Sequence, residues 1–167
     1  MESGQVFEIV KESKPILGCT VSGVLMDGVT CFSLAEHTDI SAESYPVPVL
    51  HYNLIGNSVL EYKTAEGKTI NIQTGDCILK AAGTDIGVKA DTDSVYLEIA
   101  LGKESDMNEI IKAGQVFQLK ELVPYQEGKI VNMDIASNET MKFVVMAFDA
   151  GTGLSEHGSG YSYSEGQ

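Results

Sequence analysis

The sequence predicts an all-β chain folded as a sandwich or barrel. Short runs rich in Val, Ile, Thr, Phe and Tyr are separated by Gly, Asp and Asn punctuation. One segment alone has helical spacing, and a stretch near the N-terminus recurs late in the chain. Many short strands with a single short helix bury their apolar faces most simply by packing sheet on sheet.

In chain order the predicted strands are 5–10, 20–26, 29–34, 47–55, 59–64, 69–73, 76–80, 87–90 and 95–101. Asp27-Gly28 is a tight-turn signal between the second and third of these, and Ala65-Glu66-Gly67-Lys68 joins the fifth to the sixth. The segments Val59–Thr64 and Thr69–Gln73 alternate, which predicts one face inward and one in water. Val49–Ile55 is more continuously apolar and suits a strand covered on both sides. The helix is expected over 104–112, with Ser105 as cap and Met107, Ile110 and Ile111 as a short apolar stripe.

Gly4-Gln5-Val6-Phe7 recurs as Gly114-Gln115-Val116-Phe117, an offset that also carries Gly18 onto Gly128 and Val21 onto Val131. Further on, Val29–Ser41 and Met141–Gly153 share strand character at an offset near 112. The expected organisation is therefore a complete unit over 1–113, the opening strands of a second over 114–157, and a flexible low-complexity tail over 158–167. Half a barrel cannot close its own sheets. Residues 114–157 must complete the first barrel, pair with a second copy of the chain, or belong to a longer protein with two barrels.

The run Gly75-Asp76 to Gly83 and on to Ile86 resembles the second sequence motif of the cupins, a Gly, five residues, Pro, any residue, Gly, two residues and His. Both glycines and their spacing match, with Ala81 at the Pro position and Ile86 at the His position. Leu50–Ile55 followed by Gly56 resembles the end of the first cupin motif, which places Val49 at its Glu and Glu43 and Tyr45 at its two His. Phe148–His157 looks like the lead-in to a first motif in the second unit, with His157 as its first ligand. The resemblance implies a cupin-type jelly-roll barrel with one short helix and extra C-terminal strands from a partial second repeat. It also implies a first barrel without the three-His, one-Glu metal set that the family uses.

Composition narrows function mainly by exclusion. The 167 residues are 43% hydrophobic and 21% charged, ordinary for a globular chain. Eleven Lys and no Arg face 24 Asp and Glu, for a net charge of −13. Nucleic acid and anionic membranes are repelled by that charge, and no guanidinium is present for bidentate phosphate contacts. The N-terminus lacks a signal-peptide pattern, and no apolar run is long enough to span a bilayer, so a cytoplasmic location is expected. Cys19, Cys31 and Cys77 are odd in number and widely spaced, which predicts buried free thiols.

Of the three histidines, His51 is expected to line the barrel with Tyr45 and Tyr52, the candidate ligand-binding set. His51 and His157 are weak candidates for a divalent metal, since a lone imidazole is more often a satisfied core group than a ligand. His37 reads as a surface residue, and Gly151-Thr152-Gly153 as a turn. No Gly-x-Ser-x-Gly elbow is present and no Cys is flanked by a base, so no nucleophile stands out. No cofactor is predicted. A structural or small-molecule-binding module, forming a dimer through strand contacts, is the leading expectation. A metal-dependent isomerase or oxygenase with its site in a second barrel is the alternative, and a small-molecule sensor the third.

Overall fold

Alternation of apolar residues does produce strands, and their register decides which side chains meet. The computed structural model describes residues 5–102, 106–139 and 141–154. In order these form α1 (Ile9–Glu12), β1 (Thr20–Met26), β2 (Val29–Leu34), β3 (Asp39–Glu43), β4 (Val49–Ile55), β5 (Ser58–Tyr62), β6 (Thr69–Ile72) and β7 (Asp76–Lys80). There follow β8 (Ile86–Ala90), β9 (Ser94–Ala100), β10 (Asp106–Met107), β11 (Val116–Gln118), α2 (Leu119–Leu122), β12 (Ile130–Ser137) and β13 (Lys142–Phe148).

Two sheets make the barrel. The larger runs β1-β2-β9-β4-β7-β11, and the smaller runs β3-β8-β5-β6. Neighbouring strands in both are antiparallel. Leu34, Ile78 and Tyr96 from the large sheet meet Leu60, Ile72, Ile86, Val88 and Ala90 from the small one. This sealed interior is the first core.

A second core lies on the outer face of the large sheet. There Leu50, Cys77 and Leu79 pack against Ile135 and Ala136 of β12, with Phe143 and Val145 of β13 alongside. The third sheet, β10-β12-β13, thus lies against the back of the first barrel. Residues 114–154 thus pack on the first barrel, with β11 also adding to the edge of the large sheet beside β7.

The internal repeat extends to backbone detail. α1 and α2 are each a single turn, 110 positions apart. Gly18 and Gly128, at the same offset, both take positive φ, 71° and 67°. The bulge between Val24 and Met26 in β1 recurs between Asp134 and Ala136 in β12. The second hairpin then has a turn four residues longer, so β2 matches β13 with Val29 at Phe143 and Leu34 at Phe148. Beyond the strands, Thr38 Oγ1 donates to the Ala35 carbonyl, and Thr152 Oγ1 donates to the Asp149 carbonyl, both at 2.7 Å. His37 (φ 63°) stands where Gly151 (φ 81°) stands in the second copy.

Several expectations need correction. Residues 5–8 are not a strand, and Ile9–Glu12 is helical, because Ile9 packs under β2 and β9 with Leu25 and Cys31. The helix expected over 104–112 is absent among its described residues. Asp106 and Met107 pair instead with Ser137 and Ala136 of β12, and Asn108 Oδ1 accepts from the Ile110 N–H at 3.1 Å, bending the chain into a turn. Glu104 and Ser105 lie outside the described residues, as do His157 and the tail 158–167. β3 went unread because Asp39, Ser41 and Glu43 give it little strand character, and its pairing with β8 supplies what propensity does not. Cys19 is exposed, whereas Cys31 and Cys77 are buried and free. No helix among the described residues is long and apolar enough to cross a membrane.

Gly56 closes β4 at φ 81°, packed so tightly that an added Cβ would strike the Asp93 carbonyl oxygen and Ser94 Oγ. Gly67 has a similar φ of 62° with open space around it. Gly56→Ala should therefore cost more than ~2 kcal/mol, against about 1 kcal/mol for Gly67→Ala, where only backbone strain applies. Urea unfolding of the two variants measures the gap, and equal costs would contradict the packing.

Candidate functional site

The barrel interior is set by the odd-numbered residues of β4. Val49 lies opposite Lys80 and Ala100, His51 opposite Ile78 and Glu98, and Asn53 opposite Tyr96. The even-numbered Leu50, Tyr52 and Leu54 point the other way, into the outer cores. Strand period 2 makes this separation unavoidable.

Across the interior face three rings stack in a row. Phe32 and Tyr96 have centroids 4.9 Å apart, and Tyr96 and His51 are 4.2 Å apart with 24° between their planes. His51 is fully buried, and among the described residues neither ring nitrogen has a hydrogen-bond partner. Burial, with the Lys80 ammonium adding to it, holds its pKa well below the usual histidine value. His51 is thus an uncharged packing element at neutral pH.

Next to this stack, Lys80 Nζ donates to Glu98 Oε1 at 2.5 Å, with 6% and 8% of the two side chains exposed. The pair straddles β4, since Lys80 is on β7, Glu98 is on β9 and β4 runs between them. Tyr45 stands at the mouth, its hydroxyl donating to Glu43 Oε2 at 3.2 Å. Burial raises the Tyr45 pKa above the ordinary phenol value, and the carboxylates of Glu98 and Glu43 push it the same way. Tyr96 is raised too, by burial first and Glu98 second.

These groups enclose a cleft of about 10 Å³, lined by Glu43, Tyr45, Lys80, Ile86, Tyr96 and Glu98 among others. That is room for about one water molecule. A larger hollow, about 400 Å³, lies elsewhere, on β3, β5 and β8 between Asp39, Glu61, Lys63 and Lys89.

The structure brings Tyr45 to the mouth of the barrel and places His51 deeper inside, behind Tyr96. Tyr52 does not join them. It faces the outer cores, where burial and then Cys77 raise its pKa. Cys77 itself is pushed up to about 12 by burial, which keeps it a thiol and a poor nucleophile. His37 is on the surface, near Glu36.

The positions that the resemblance assigns to metal ligands offer a carboxylate at Glu43, a phenol at Tyr45 and hydrocarbon at Val49 and Ile86. Lys80, which lines the same cleft, would repel a divalent ion. That donor set does not fit the imidazole-rich sites of Fe, Mn, Ni or Zn. Among the described residues no group of three or more His, Cys, Asp or Glu could hold a metal ion.

Lys80 and Glu98 were not foreseen from the sequence. The signal was there, however: each is a charge within a strongly apolar strand, on the same parity as inward-facing Ile78 and Tyr96. Opposite signs in two such strands point to a buried pair.

Two measurements test this site. Glu98→Ala, which strands a buried ammonium, should cost about 3–5 kcal/mol, while a Lys80→Met, Glu98→Leu double variant should return to within about 1 kcal/mol of the parent. A double-mutant cycle in urea gives both values. For His51 the folded pKa is depressed, so its contribution is intact above the unfolded value of 6.5 and is lost as pH falls below it. Stability should drop by up to ~1.4 kcal/mol per pH unit on that account. His51→Gln should flatten the acid limb, and an unchanged slope would count against a neutral His51.

Comparison with known proteins bears on the fold. No protein-family model matches the sequence, and neither does any curated protein. Among solved structures, a cupin 2 conserved barrel domain protein from Leptotrichia buccalis matches 89% of the chain at 22% identity, with a TM-score of 0.73. The chain spans 66% of that protein's length. A conserved protein of unknown function from Streptococcus pyogenes matches over 62% of this chain and 92% of its own, at 20% identity and a TM-score of 0.55. A cupin superfamily protein from Desulfitobacterium hafniense matches over 60% and 93%, at 17% identity and a TM-score of 0.53. With two facing antiparallel sheets and these neighbours, the chain has the fold of the cupin barrel proteins that it resembles.

Proposed function

We propose that the first barrel is a metal-free structural module, its interior filled by its own side chains. The observation that carries this reading is the Lys80–Glu98 pair, which occupies the region where the resemblance places a metal and its ligands. A buried ammonium supplies the positive charge that a metal would otherwise bring, and Glu98 neutralises it within the chain. Val49 and Ile86, at the Glu and His positions of the resemblance, are buried apolar groups.

Small-molecule binding at Tyr45, His51 and Tyr52 is less well supported. The cleft holds about one water, and Tyr52 lies on the opposite face of the sheet from His51. A cytoplasmic location suits the three free thiols, and the net charge of −13 argues against nucleic-acid partners.

A second reading is a metal-dependent enzyme whose site lies in a second barrel. What favours it is the hairpin β12–β13, which repeats the geometry of β1–β2, and the greater length of the Leptotrichia protein. This reading rests in sequence on His157.

Elemental analysis of the purified chain after dialysis separates the two. The metal-free module should hold well under one equivalent of Fe, Mn, Ni or Zn, and its melting temperature should not move when these ions are added. One tightly held equivalent that survives Lys80→Met would favour the second barrel. An equivalent that appears only once Lys80 is replaced would support the displacement of metal by the ammonium.

A further inference from the structure

We infer that a hollow of about 200 Å³ on the outer face of the large sheet is a binding site for a small neutral alcohol or phenol. It lies between the end of α1, with the residues that follow it, and the outward row of β1 and β2. Val21 pairs with Ser33 and Gly23 with Cys31, so these four residues share that row, with Leu25 beyond them. All the lining residues are described ones. The barrel interior is on the other side of the sheet, where Phe32 and Leu34 point, so the site does not depend on whether the first barrel holds a metal.

The internal repeat shows what made the space. The same elements in the second copy are α2, β12 and β13. There Met133 takes the place of Gly23, Val123 that of Ser13, Val145 that of Cys31 and Ala147 that of Ser33. Met133 and Val145 pack into the second core, and Val123 and Ala147 are buried. In the first copy each of these positions is smaller or more polar, so a packed arrangement has become a hollow. The backbone does not require Gly23: its φ is not positive, and nothing lies within 4 Å of where a Cβ would stand. Glycine inside a strand gives up packing, and it is often found where a ligand approaches closely.

The chemistry of the occupant follows from the lining. Ser33 is 5% exposed, and its Oγ has no hydrogen-bond partner among the described residues. A buried hydroxyl without a partner is destabilising, and a ligand oxygen beside it removes that cost. Cys31 Sγ already donates to Ser13 Oγ at 3.4 Å, which leaves Ser33 as the group to bind. Its hydroxyl both donates and accepts, and so matches a ligand hydroxyl that does the same. Ile16, Val21 and Leu25 offer hydrocarbon to the rest of the molecule. Glu12 and Lys14, both exposed, bring opposite charges to the rim, and the chain as a whole carries −13, so neither local nor overall charge selects an anion. A dry cavity of about 150 Å³ takes a benzene ring, and about 200 Å³ therefore suits a ring with one substituent.

Titration of the full, isotopically labelled chain with phenol, followed by heteronuclear NMR, tests this. Amides of Gly23, Leu25, Cys31 and Ser33 should shift together and saturably, while those of Tyr45 and Tyr96 at the barrel mouth stay in place. Ser33→Ala should weaken phenol binding about five-fold and leave toluene binding unchanged, since only phenol uses the hydroxyl. Gly23→Met, which copies the second repeat, should remove binding of both probes by filling the space. If that variant fails to fold, the comparison of phenol with toluene on Ser33→Ala still decides the matter. A parent with no saturable shift on β1 and β2 overturns the inference, as does saturation centred on the barrel mouth. So does phenol affinity that Ser33→Ala leaves unchanged or lowers equally for toluene, and so does a folded Gly23→Met that binds phenol as the parent does.

Discussion

The burial of β4 on both faces is the constraint on which the rest of the structure depends. It lies between β9 and β7 in the large sheet, sending Val49, His51 and Asn53 into the barrel and Leu50 and Tyr52 to the back. A one-residue slip would put His51 and Asn53 into the outer cores and empty the interior of both. The inner face is closed by β5, β6 and β8, and the outer face by β12 and β13. Without the third sheet, Leu50, Cys77 and Leu79 would stand in water, so the partial second repeat is also the cover of the first.

Inside the barrel, two different solutions to polarity sit side by side. Lys80 and Glu98 are buried as a matched pair, the arrangement in which desolvation of each charge is most nearly offset. His51 is buried with no hydrogen-bond partner among the described residues and is uncharged, packed against Tyr96. All three residues project from strands that are otherwise largely apolar, and all three fill volume. The result is an interior with little space for a ligand and a donor set unsuited to a divalent ion.

The repeat explains the rest of the architecture economically. One hairpin, with its one-turn helix, glycine turn, bulge and threonine cap, has been used twice. In the first use, β2 gains β9 and becomes the wall of a barrel. In the second, the same hairpin meets the back of the first sheet, and among the described residues Met146 and Phe148 stay partly exposed. Identical local structure thus has two different environments, because tertiary partners and not local geometry decide burial.

The sequence by itself determined most strands, since an apolar alternation bounded by Gly and Asp leaves few other choices. The segments 20–26, 29–34 and 76–80 form strands at the positions that their patterns predict. The repeat and the Gly75 and Gly83 turns, both at positive φ, were legible for the same reason: glycine is needed wherever the chain must turn left-handed. The weak strands β3 and β10 were not legible, because long-range pairing forms them against local propensity. Nor was the partnership of Lys80 with Glu98, eighteen residues apart in sequence and brought together by two strands flanking a third. Tyr52 and His51 are neighbours in sequence but face opposite sides of the sheet, so Tyr52 left the site that composition suggested. Where each strand lies is written in its own residues. Which side chains meet across the barrel is decided by sheet order and register, which no single segment contains.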